Sequence, residues 1–133
     1  MYKLFTQSQA TELIGVVDPM LRDLQNALRD VVRLRDERAG VRPDSLRAQQ
    51  LTAELAFVVG SAQLTKTELD RLGVLVKDVE QGLVDFPSRL GAEVVYLCWE
   101  QGEDAVTHYH ALNQEAAARQ PLPGAFNDRR LNA

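Results

Sequence analysis

Residues 82–110 read GLVDFPSRLGAEVVYLCWEQGEDAVTHYH. This stretch decides the fold class. Short runs rich in valine, leucine and aromatics alternate with turn residues, which is how strands are written. It also holds the one cysteine, the one tryptophan and both histidines of the chain. Working outward, residues 74–77, 83–86, 93–101 and 105–112 form a four-stranded antiparallel β-meander. Its turns fall at 78–82, 87–91 and 102–104.

Upstream the pattern turns helical. Thr6 followed by Gln9 is a capping box, with Phe5 placed as a staple. Ala10, Leu13, Ile14 and Val17 then share one face. Asp18-Pro19 reads as an N-cap and a first helical position, so a second helix is expected to begin at Pro19. Leu21, Leu24, Leu28 and Val31 continue in steps of three and four. Residues 39–44, AGVRPD, are a turn. Beyond it Ala48, Leu51, Leu55, Val58, Ala62, Thr65, Leu69 and Leu72 follow a heptad, and Gly73 ends it. The two longer helices make an antiparallel hairpin. The expectation is an α+β fold: N-terminal helices with a long antiparallel helical hairpin, then the small four-stranded meander. One domain spans 1–122, with its helical part at 6–73 and its sheet at 74–112. Residues 123–133 read as an extended or disordered tail.

At 133 residues the chain buries roughly two thirds of its unfolded surface and needs no disulfide or metal to fold. One cysteine forms no internal disulfide, which fits a reducing compartment and points to the cytoplasm. No apolar run approaches membrane-spanning length, and the opening residues lack a secretory signal pattern. The net charge is −4, which argues against nucleic-acid binding. The arginines between Arg29 and Arg47 alternate with acids, as on a solvated helix face.

His108 and His110 stand two apart on a strand and so share a face. Paired imidazoles of this kind bind a divalent transition metal when a carboxylate or thiolate joins them. Asp85, Glu103 and Cys98 are the nearby candidates. The turn at Gly102 decides the geometry. A two-residue turn sets Cys98 opposite Thr107, facing away from both histidines; a three-residue loop sets Cys98 opposite His108. Cys98, His110 and Asp85 also have the residue types of a thiol catalytic trio. Flanked by Leu97 and Trp99, however, Cys98 reads as a buried small hydrophobe. Lys77, Asp78 and Arg119 form a further polar group. Arg119 is expected to pair with Asp85 or Glu103, or to line an anion pocket with Lys77.

The runs VKDVEQGLVDFPSRLGAEVVYLCWEQGED (76–104) and FTQSQATELIGVVDPM (5–20), with His110 and Arg119-Gln120-Pro121-Leu122, resemble an uncharacterised bacterial family, domain of unknown function 2203. The resemblance spans about 5–122 and implies a fold rather than an activity. It implies recurring polar positions at Glu12, Lys77, Asp78, Asp85, Cys98, Glu103, His110 and Arg119. Two positions depart from it: His108 replaces an aromatic residue, and 115–118 lacks glycines before Arg119.

Two functions fit these observations. The first is a non-enzymatic interaction or assembly module, a homodimer joined through the hairpin, whose apolar stripes leave Phe57, Val59, Val32 or Leu34 for a second copy. The alternative is a metal-binding protein or small metalloenzyme with its site around His110.

Overall fold

The computed structural model describes residues 3–123. The expected tail therefore lies, beyond Pro123, outside the described residues. Two helices come first: α1 (Gln7–Ala39) and α2 (Leu46–Leu72). The expected helix boundary at Pro19 is absent, because α1 runs straight through it. An interior proline removes one hydrogen bond and costs about 3 kcal/mol. On either side, Val17 and Leu21 are fully buried. Each such side chain contributes ~1.5–3 kcal/mol, enough together to hold the helical register across the proline. Asp18, read as a cap, instead accepts from Arg22 and from Gln101.

The start of α1 matches its capping pattern. Thr6 Oγ1 accepts from Gln9 N, and Gln9 Oε1 accepts from Thr6 N, both at 3.0 Å. Phe5, the staple residue, is buried and meets Phe86 edge-on. Ser45 caps α2, and Gly73 closes it in the left-handed conformation. The heptad faces inward: Ala48, Leu51, Leu55 and Leu69 are buried. The hairpin's outer end forms its own small core of Leu34, Leu51 and Leu55. Leu34 is thus covered, contrary to the expectation that it stays open. The inner end packs Val17, Leu21, Leu24 and Leu69 against the sheet.

The sheet is an antiparallel meander of five strands: β1 (Leu75–Asp78), β2 (Leu83–Leu90), β3 (Glu93–Glu100), β4 (His108–Ala111) and β5 (Gln120–Pro121). Three expectations change, the first at the β3–β4 connection, where residues 101–107 replace the expected turn at 102–104 and β4 begins at His108 rather than at 105. The turn set at 87–91 is shorter, since β2 continues through Pro87, which pairs with Tyr96. The Pro87 carbonyl points away from β3 and accepts from Phe5 N at 2.7 Å. A proline there forfeits no ladder bond, because its missing N–H faces the same side as that carbonyl. The fifth strand comes from Gln120-Pro121, too short and too polar to register as a strand in the sequence.

Alternation divides the sheet into two faces. Val84, Phe86, Leu97, Trp99 and Tyr109 join the helices in the main core. The other face carries Asp85, Cys98, His108 and His110. The loop after β3 is fastened to α1: Val106 N donates to Thr11 Oγ1, and Gln7 Nε2 donates to the Val106 carbonyl. Gln101 fastens it again, donating to Asp18 and accepting from Gln25.

Gly82 enters β2 with φ +73°, and a Cβ there would stand 2.5 Å from the Gln101 Cβ. Gly82→Ala is therefore expected to cost more than ~1 kcal/mol, from backbone strain and from displacing Gln101. Urea unfolding measures it; a variant as stable as the parent would contradict the close approach.

Candidate functional site

Residues opposite one another in an antiparallel ladder point to the same face. Asp85 pairs with Cys98, Cys98 with His108, and Tyr96 with His110. Of the two registers left open at Gly102, this is the one that sets Cys98 opposite His108. The face lies away from the helices, yet Asp85 and Cys98 are 0% exposed and His110 only 2%. Cover comes from the chain after β4. Gln114, Glu115, Ala116 and Ala117 form one wall of a cleft of about 500 Å³, and Lys77, Asp78 and Gln81 line it too. Asp85 and His110 also line it.

His110 uses both ring nitrogens. Nδ1 lies 2.9 Å from the Ala111 carbonyl, which only accepts, so Nδ1 carries a proton. Nε2 lies 2.9 Å from Asp85 Oδ2. One further proton must sit between those two atoms, because two lone pairs do not face each other at that distance. Burial pushes the Asp85 carboxyl above its ordinary 3.8; the neighbouring His110, Lys77 and Cys98 thiol reduce the rise without cancelling it. Asp85 Oδ1 is buried and accepts no hydrogen bond among the described residues. Leaving such an acceptor unmade costs ~1–3 kcal/mol.

Cys98 is buried, as the sequence suggests, but not in apolar company. It belongs to the polar face, 3.9 Å from Arg119 Nη1. Burial pushes its thiol up to about 11, against the lowering pull of Arg119, so it is protonated at neutral pH. A thiol relay needs the imidazole to touch the sulfur with one nitrogen and a carboxylate with the other. Here the carbonyl and Asp85 occupy both. That geometry argues against the thiol-enzyme reading.

A second group adjoins the first. Arg119 Nη1 and Nη2 grip Glu103 Oε1 and Oε2 at 3.1 and 2.5 Å. Glu103 also accepts from Glu100 N, and its carbonyl accepts from the Trp99 indole. His108 stands 3.9 Å from Glu103 and hydrogen-bonds Thr107. Of the five candidate metal ligands, then, the structure brings Asp85, Cys98 and His110 together. It places Glu103 and His108 with Arg119. Of the further polar group, Lys77 and Asp78 line the cleft, whereas Arg119 is engaged by Glu103 across the sheet. The Lys77 ammonium lies over the Tyr96 ring, 4.8 Å from its centroid. Sequence reasoning missed the wall at 114–117, where nothing but its distance from β4 hinted at a role.

What this arrangement does chemically is bounded. It places three potential donor atoms, one each of nitrogen, sulfur and oxygen, within 4.8 Å of one another. With His110 Nδ1 held by a carbonyl, Nε2 is the atom left for a ligand, as in metal-binding histidines.

Residues 3–122 match the family described as uncharacterized conserved protein (DUF2203). Neither the curated proteins nor the solved structures contain a match. Among the described residues no helix is long and apolar enough to cross a membrane.

The Glu103 grip makes a pH prediction. Burial pushes the Glu103 carboxyl up, but Arg119, the Glu100 amide and His108 together outweigh it. Its folded value lies below the ordinary 4.5. A lowered carboxylate stabilises the fold above the ordinary value, and that stability is lost as pH falls through the folded value. Glu103→Gln should cost on the order of 1–3 kcal/mol at pH 7. The gap to the parent should narrow below pH 4.5, as read by denaturation at several pH values.

Proposed function

The chain belongs to the DUF2203 family, and from that premise we propose that it is a non-enzymatic assembly module, a homodimer joined through the helical hairpin. One observation carries the reading: α2 presents large apolar side chains to solvent on a face nearly without charge. Phe57 is 75% and Leu64 71% exposed. Between Arg47 and Lys66 the only charged residue is Glu54. On α1 the stretch from Arg22 to Arg38 alternates acids and bases. Val32 and Val59 are exposed as well, as the sequence suggests.

A second copy of the same face is the occupant that fits. A helix strip carrying only Glu54 meets its own copy with little like-charge repulsion, as a two-fold interface requires, while Asp23 and Asp30 of α1 flank the groove beside Phe57. Gly60 lies between Phe57 and Leu64. Within the chain a Cβ at Gly60 would touch nothing, although glycine there costs about 1 kcal/mol relative to alanine. A gap of this kind lets a second helix approach closely. With α2 antiparallel to its copy about an axis between Gly60 and Ser61, Phe57 falls opposite the partner's Leu64. Glu54 then falls opposite the partner's Thr67, an uncharged position.

A second reading attaches to the open face of the sheet. The unpartnered Asp85 Oδ1 beside Cys98 and His110 favours a bound cation, in keeping with the metal expected from the sequence.

Light scattering at tens of micromolar should give twice the 14.8 kDa chain mass. The double variant Phe57→Glu with Leu64→Glu should give the single mass and still unfold cooperatively, since both side chains are exposed on the single chain, with a melting temperature lowered by the lost association. A monomeric parent protein at that concentration would sink the assembly reading.

A further inference from the structure

We propose that Asp85, Cys98 and His110 are the three protein ligands of one divalent transition metal of the zinc class, its fourth position opening into the cleft between Lys77 and the 114–117 wall. This rests on the cation reading of the sheet and specifies its ligands and its geometry; it is independent of the dimer.

The donor set is the first argument. Thiolate, imidazole and carboxylate together suit zinc or cobalt rather than magnesium or calcium, which take oxygen. Donors around a tetrahedral zinc stand roughly 3.3–3.8 Å apart, from bond lengths of about 2.0–2.3 Å. The three present donors span 2.9 Å, between His110 Nε2 and Asp85 Oδ2, to no more than 4.8 Å. Small side-chain rotations about these positions reach that range.

The second argument is the unsatisfied oxygen. Asp85 is 0% exposed with Oδ1 unpartnered, and a metal would satisfy it. The third is orientation: the Ala111 carbonyl holds His110 Nδ1 and leaves Nε2 to the metal. No fourth His, Cys, Asp or Glu among the described residues joins the cluster. Water or a ligand from the cleft would complete the shell, as at open zinc sites.

The surrounding charges have to be compatible. Arg119, next to Cys98, is already neutralised by Glu103, with His108 beside that pair. Lys77 faces Asp85 from β1, with Tyr96 under its ammonium. Asp78 and Glu115 stand in the same cleft lining and offset it. A dipositive ion with an ionised Asp85 and Cys98 adds no net charge.

The test uses the untagged full chain, stripped with chelator and titrated with Co²⁺ and with Zn²⁺. Expected are one metal per chain, a raised melting temperature and an ultraviolet thiolate-to-cobalt band. Cys98→Ser should abolish the band. Asp85→Asn should weaken binding at least tenfold, while His108→Ala, outside the ligand set, should leave both unchanged. Circular dichroism checks that each variant folds. No stoichiometric metal and no thermal shift with either ion would overturn the cation reading itself. Metal bound by the parent without the thiolate band, or with His108→Ala as damaging as Asp85→Asn, would overturn this ligand set and leave cation binding standing.

Discussion

A buried hydrogen bond of 2.9 Å joins His110 on β4 to Asp85 on β2, reaching past β3, which lies between them. It forms only if both intervening ladders keep their register. A slip of one residue in either would turn one partner toward the helices, burying an unpaired polar group among Val84, Phe86 and Leu97. The penalty for that is several times the net gain from the bond itself. The bond therefore acts less as a source of stability than as a selector among strand alignments. The rest of the polar face depends on that alignment. Cys98 is held between the two partners, and Arg119 reaches Glu103 and Cys98 from the chain that returns beside β4.

Much of the helical part was legible in the sequence because each signal is local. The Thr6–Gln9 box, the turn at 39–44, Gly73 and the α2 heptad depend on neighbours within about seven residues. Pro19 misled because the same residue starts helices and interrupts them; only the burial of Val17 and Leu21, a tertiary fact, decides between the two. Pro87 misled for a related reason. It is compatible with a strand when its missing N–H faces a side that needs no donor, and that side is set by Phe5, over eighty positions away.

The candidate site was legible as a set of residue types but not as a set of contacts. Five candidate ligands stood close in the sequence. Sorting them into Asp85, Cys98 and His110 on one hand and Glu103 and His108 on the other required the pairing of Cys98 with His108. Composition also concealed the character of Cys98. Its neighbours Leu97 and Trp99 are apolar, but along a strand neighbours face the opposite side, so they say nothing about what the thiol touches. The 114–117 wall had no periodicity to announce it, since it is held by position rather than by pattern.

The fastening of the N-terminus to the sheet has a consequence for how the chain assembles. The helical hairpin joins sequence neighbours, and the meander pairs each strand with the next. Both halves close short loops, the kind that form quickly. The bonds from Phe5 to Pro87 and from Gln7 and Thr11 to Val106 instead close loops of more than eighty residues. They bring no contact until both halves exist. Docking of the first turn of α1 onto the sheet is thus among the longest-range contacts that the topology demands. During synthesis, this clasp waits for residue 106 to emerge, although its own residues are made first.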